Sequence, residues 1–338
     1  MRHTPLTLAV EEMAAATVHL TDAELAGGGY AWGDYPGVRM ALLGTAQDLD
    51  DLAGVLLAQR AGAGKPPTRA QLLLATHREA YRDLLGLLAA IDEAELSQPP
   101  AQGEWPVVEA LRHIDDAERG FFLSILAGVD AQGRGEKAAM PPRAEEDVWL
   151  AEAGPRLAAD TQPAARLAAY GRLHLLVAEK LAGLSDAQLE ARSPFWEPEQ
   201  PSVAFRIGRF TAHLREHTVQ IEKTLLALGH IPNEARLHVR TLYRALGRVE
   251  GALIGTTELA AQADELAGVI HARAVAAPKA VAESAALIAA VRGGDGATVE
   301  GLLAQNPRLA DAVDASQQSA LMVATYSHQF AIAQMLHK

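Results

Sequence analysis

The sequence predicts an all-α protein, and three observations carry that expectation. The 338-residue chain is dominated by alanine and leucine and only 5 % aromatic, a bias that favours helix almost throughout. Several long segments place apolar residues at i, i+3, i+4 and i+7, the period of a helix with one buried face. Glycine- and proline-rich stretches separate them. Four long helices joined by loops make an up-down four-helix bundle the natural architecture, with ligand sites built between facing helices. Extra helices precede the bundle and a helical repeat segment follows it.

In chain order, residues 6–20 read as one short helix and 36–60 as a second, ending at the stop Arg60-Ala-Gly-Ala-Gly64. Lys65-Pro-Pro-Thr68 is a linker, and Thr68 suits the N-cap of the next helix. That helix, Arg69 to about Ile91, carries Leu72, Leu73, Tyr81, Leu84, Leu85 and Leu88 at helical spacing. Asp92 to Gly103 is a loop, after which Trp105-Pro106 opens a helix with proline in its favoured first position. The expected stop is Gly128, with a mobile loop from Asp130 to Arg143. Two more bundle helices cover about Ala164–Leu184 and Val203–Leu228, the latter ending at Gly229. Ile231-Pro232 begins a further helix to Gly251, and an alanine-rich connector helix spans about 256–275. The expected domains are 1–66 as an N-terminal helical extension, 67–255 as the bundle with its trailing helix, 256–282 as a linker, and 283–338 as repeats.

In the last segment, Val299/Ile332, Leu302/Met335 and Leu303/Leu336 recur at a spacing of 33. Ser319-Ala-Leu-Met-Val-Ala324 resembles the Thr-Pro-Leu-His-x-Ala signature opening an ankyrin helix pair, and Ala286 to Val291 sits one repeat earlier. Gly293-Gly294-Asp295 suits the turn between helices, and Asn306-Pro307 to Gln318 suits the exposed finger. An ordinary helical hairpin pair is the alternative. Ankyrin-like repeats need about three neighbours to bury their faces. With about two here, the chain continues beyond Lys338, or the segment packs on the helical domain or on a second copy.

Composition excludes several chemistries. With no cysteine, there is no disulfide framework, thiolate metal site or cysteine nucleophile. The short apolar run after Met1 closes at Glu11-Glu12, unlike a signal peptide. No window is expected to reach the ~20 apolar residues of a membrane span, so a cytoplasmic protein with no membrane partner is the default. The formal charge of −12 argues against nucleic acid as a partner, since a backbone binder needs a basic face.

The most informative motif is His213 and His217 in Phe210-Thr-Ala-His-Leu-Arg-Glu-His-Thr-Val-Gln220. Residues at i and i+4 share a helix face about 5–6 Å apart, within reach of one metal ion. Taken alone, the pair is better explained as a solvated polar stripe, and a third ligand on another helix is needed to reverse that reading. His77, His113 and His174 are the candidates. His113 has the small neighbours Ala110, Ala117 and Gly120 and lies a whole helix away from His213 in the chain.

Gly103-Glu-Trp105 before a helix bearing Leu-Arg-His113, then a last bundle helix bearing Ala-His213-x-x-x-His217-x-x-Gln220, resembles the DinB/YfiT-like superfamily over about residues 68–230. The resemblance implies a four-helix bundle holding a divalent metal through His113, His213 and His217. It also implies activities that include thiol S-transferases and isomerases using a low-molecular-weight thiol. Related modules occur in oxygen-dependent sulfur-transfer enzymes, and a homodimer through helix faces fits the family. The N-terminal helices, the Phe195-Trp196-Glu197 loop and the ankyrin-like tail depart from its simplest members.

Three neutral imidazoles from two helices would leave positions open on zinc or nickel, as in catalytic rather than structural sites. Around them, Asp116 is a candidate base or orienter, against a solvent-facing acid. His174 is a candidate fourth ligand or acid/base, against core packing, and His77 stands similarly. Gln220 lies one turn beyond His217 and can orient it, whereas Arg215 and Glu216 turn away. Trp105 is expected to plug the helix start, and Phe195-Trp196-Glu197 to cap the bundle or cover a pocket. Arg206 and Arg209 are expected at the surface, with an inward, anion-holding role as the alternative. Asp295 and Asn306-Pro307 are turn formers. Two functions follow: a metal-dependent enzyme acting on a small molecule, most concretely a transferase using a metal-activated thiol, or a metal-binding scaffold whose ankyrin-like tail docks a protein partner.

Overall fold

Helices supply nearly all the regular structure, as the alanine- and leucine-rich composition requires. The computed structural model describes residues 4–158, 161–256 and 259–337. The helices are α1 (Pro5–Thr17), α2 (Asp22–Ala26), α3 (Arg39–Gly62), α4 (Arg69–Leu88) and α5 (Glu93–Leu96). They continue with α6 (Val107–Arg134), α7 (Arg143–Trp149), α8 (Pro163–Leu181), α9 (Asp186–Leu189) and α10 (Val203–Ala227). The last are α11 (Glu234–Ala252), α12 (Ala260–Gly293), α13 (Gly296–Gln305), α14 (Ala320–Tyr326) and α15 (Phe330–Leu336). Two antiparallel strands, Ala31–Trp32 and Tyr35–Pro36, form the one sheet among the described residues. The chain is all-α.

Two compact units arise. The first comprises Leu52–Ile231 with Gly247–Leu259. Within it α10 packs on both α4 and α6, and α8 packs on the same two helices. Local chemistry sets the starts. Thr68 and Gln71 form a reciprocal capping box on α4, and Ser202 accepts from Phe205 N on α10. The apolar face of α4 is Ala70, Leu74, Tyr81, Leu84 and Leu88, while Leu72, expected in the stripe, is exposed.

The helix expected to stop at Gly128 continues to Arg134 and ends at Gly135 in the left-handed conformation at φ 69°. Gly128 has a different reason to be glycine. A Cβ there would stand 2.5 Å from the carbonyl oxygen of Arg192, so the missing side chain lets another backbone segment cross the helix. The expected loop 130–143 is correspondingly shorter, with α7 starting at Arg143.

A buried ion cluster fastens the last turns of α11 to α4. Glu250 Oε2 accepts from Arg78 Nε and Arg82 Nε, each at 2.7 Å, with all three side chains buried. Burial alone would raise the Glu250 carboxyl, but the two guanidinium groups outweigh it and hold the pKa down at about 2. Gly247 and Gly251 of the same helix face Glu79 and Ala75, with room for no side chain.

The second unit comprises Arg2–Asp51, Pro232–Leu246 and Ala260–Lys338. Helix α1 lies along α12. Gly29 N donates to Arg308 O at 3.1 Å and Asn306 Nδ2 to Gly29 O at 2.8 Å, so the N-terminal loop packs against the tail. Val299, Leu309, Ala320, Val323, Ile332 and Leu336 share one small core with Leu302, Leu303 and Met335 against it. Asp295 and Ser319 cap α13 and α14, and Val313 bridges Ser319 beside the 314–317 turn. The connector expected at 256–275 and the boundary at 282/283 lie within or across α12, a single helix that tolerates Pro278 at the loss of one backbone bond. The expectation of no membrane-length apolar window is corrected here: Ala261–Gly293 passes by length and composition. Its apolar character comes largely from alanine, and α1 covers part of it.

Glu250→Ala leaves two buried guanidinium groups without their carboxylate and is expected to cost about 3–5 kcal/mol. Urea unfolding of the full chain measures it; a loss under about 1 kcal/mol would show that water reaches the cluster.

Candidate metal centre

Helix α10 sets His213 and His217 one turn apart on the face it turns to α6, and α6 brings His113 from the other side. His213 Nε2 lies 3.1 Å from His113 Nε2 and 3.1 Å from His217 Nε2. One ligand nitrogen from each of the three falls within 4.8 Å of the others. With metal–nitrogen bonds of about 2.0–2.1 Å, neighbouring ligand atoms are separated by about 2.9–3.4 Å. The two pairs that include His213 therefore stand at a spacing that one divalent ion would span.

Hydrogen bonding sharpens the fit. His217 Nδ1 lies 2.7 Å from Gln220 Oε1. The amide oxygen can only accept, so the bond assigns the proton to Nδ1 and leaves the Nε2 lone pair facing the other two rings. His213 Nδ1 is buried without a hydrogen-bond partner among the described residues. Phe121 meets the His213 ring edge-on at 5.5 Å and closes the inner side. Burial first, then the neighbouring His217 and His113, holds the His213 pKa down at about 3. Burial and His217 likewise lower His113. Neutral imidazole is the ligating form.

His113 and His217 are only partly buried. Next to them a surface cavity of about 440 Å³ is lined by Glu104, Trp105, Glu216, Gln220 and Lys223, with none of the three histidines in its wall. Gln220 links it to His217, and the Trp105 ring lies 5.5 Å from His113. Trp105 is 45 % exposed, so it is no buried plug: it stands over a ligand candidate at the cavity wall.

The other singled-out residues are spread more widely. Asp116 is half-exposed and pairs with Arg156 at 3.0 Å. His174 does not join the triad; it lies fully buried beside His77, ring centroids 4.2 Å apart. Arg215 and Glu216 are exposed. Arg206, expected at the surface, is instead buried and grips Glu197 through two bonds of 2.9 and 2.6 Å. Its planar guanidinium also lies over Phe121 and Phe195, which is why burial is tolerated. Arg209 is partly exposed. In the Phe195-Trp196-Glu197 loop the roles divide: Phe195 packs against Phe121 and over Gly120, Trp196 is 77 % exposed, and Glu197 holds Arg206.

Glu118 was not singled out from the sequence, yet it is fully buried and meets His77 and Tyr170. The available signal was positional. Ile114, Glu118, Phe121 and Ile125 share one face of α6, and an acid on an apolar stripe is a buried polar group requiring a partner.

The metal-free protein should be acid-sensitive. The folded His213 pKa is depressed below the ordinary ~6.5, so its stabilisation is complete above that value and is lost as pH falls toward about 3. Between pH 6 and 4.5 the wild type is expected to lose up to about 1.4 kcal/mol per pH unit more than His213→Gln. Urea midpoints across that range measure the difference, and parallel profiles would show that water reaches His213.

Searches of curated proteins and of solved structures return no match. Residues 76–221, from within α4 to within α10, match the family model of the DinB superfamily, and the matched segment contains all three triad histidines.

Proposed function

We propose that α4, α6, α8 and α10 form an up-down four-helix bundle whose function is to hold a divalent metal, zinc or nickel, on His113, His213 and His217. The carrying observation is the convergence of three Nε2 atoms at 3.1 Å steps beside an open cavity. The DinB superfamily match over the same helices supports it. When bound, the ion would act as a Lewis acid, lowering the pKa of a coordinated water or thiol.

The reading extends to an enzyme, most concretely a transferase using a low-molecular-weight thiol. The chain has no cysteine, so the thiol would come from solution. Gln220 fixes the His217 tautomer, Phe121 excludes water from the inner side, and Trp105 presents an apolar wall. Glu104, Glu216 and Lys223 offer charged groups for binding a polar substrate at the cavity.

A second reading is a metal-stabilised scaffold whose ankyrin-like tail docks a protein partner. The exposed Leu321, Met322, Tyr326 and Phe330 on the terminal helix pair favour it, because clustered exposed apolar side chains mark interaction surfaces.

Metal analysis after expression in zinc-supplemented medium tests the centre. His217→Ala is expected to lose one equivalent of divalent metal relative to the wild type, and equal contents would sink the assignment. Cobalt-loaded protein titrated with 2-mercaptoethanol then separates enzyme from scaffold. A sulfur-to-cobalt charge-transfer band, absent in His217→Ala, supports thiol chemistry; no band in the wild type favours the scaffold.

A further inference from the structure

A second group of polar side chains lies deeper between the helices. His77 of α4, Glu118 of α6 and His174 of α8 each occupy a position on an apolar face, flanked by Leu74 and Tyr81, Ile114 and Phe121, and Tyr170 and Val177. All three are at most 1 % exposed. One potential ligand atom from each falls within 4.8 Å of the others. The Phe210 ring lies tilted beside His77 at 5.0 Å and also meets Phe121.

The spacing is unlike that of a simple ion pair. His77 Nε2 lies 3.3 Å from Glu118 Oε1 and 3.3 Å from Oε2, straddling the carboxylate. A charge-assisted hydrogen bond would draw one oxygen to about 2.7–2.9 Å. Two ligands on one tetrahedral ion at about 2.05 Å stand about 3.3 Å apart. Tyr170 Oη donates to Oε1 at 2.8 Å, which orients the carboxylate. Glu118 Oε2 and His174 Nδ1 remain buried with no hydrogen-bond partner among the described residues. Buried polar atoms are nearly always satisfied, and one cation between them would satisfy both.

We propose that His77, Glu118 and His174 form a second metal site, taking a divalent first-row transition ion on two imidazoles and one carboxylate. Such a donor set suits zinc or iron(II). Tyr170 acts on it through Glu118, as a positioning residue. Three helices would then be tied at one point, while the histidine triad ties only α6 to α10. The site is distinct from the triad in residues and in donor chemistry.

The test uses the full chain expressed in medium supplemented with zinc, with metal counted by mass spectrometry after desalting. The wild type is expected to carry two equivalents. His213→Ala/His217→Ala should retain one, and Glu118→Gln should lose one while keeping the triad's. A double variant that folds by circular dichroism yet carries no zinc would overturn the proposal and leave the triad assignment standing. Crystals of the zinc-loaded wild type guard against a variant that fails to fold. An anomalous peak among His77, Glu118 and His174 supports the site, and a peak at the triad alone overturns it.

Discussion

The packing of α10 against both α4 and α6 is the constraint from which the chemistry follows. It buries His213 between the helices, where protonation is expensive and the imidazole stays a neutral donor. It also places Phe210 between the two histidine clusters, in contact with His77 on one side and Phe121 on the other. A change in that interhelical distance would alter both sets of ligand spacings together.

Much of the fold was legible because helical periodicity is local. The starts of α4, α8 and α10 follow from Thr68, Pro163 and Ser202, each readable within a few residues. The failures have one shared cause, which is that a distant part of the chain decided the outcome. Gly128 reads as a stop until Arg192 is seen to cross it. Arg206 reads as a surface cation until Glu197 and two aromatic rings enclose it. None of those partners is adjacent in sequence.

For the candidate site, the i, i+4 pair was visible from spacing alone, whereas His113 stood as one of three candidate histidines until the family resemblance singled it out. Glu118 was not, because a single acid in the charged run Asp115-Asp116-Ala117-Glu118-Arg119 resembles a solvated face. Only α6 geometry separates Asp116, which reaches Arg156 in solvent, from Glu118, which is enclosed. Two residues of offset are enough to turn an ordinary surface ion pair into a buried ligand candidate.

The joining of Gly29 to Arg308 and Asn306 has a kinetic meaning. The Asn306–Gly29 bond spans 277 residues of chain, and pairings of such range close slowly because loop entropy must be overcome first. During synthesis the first helices must wait for the tail to emerge from the ribosome, while the histidine-bearing segment between them can already condense. The second unit is therefore the late step of folding and the one most exposed to aggregation or chaperone capture. Shortening the tail would leave the amino-terminal helices without their partner, at the opposite end of the chain from the deletion.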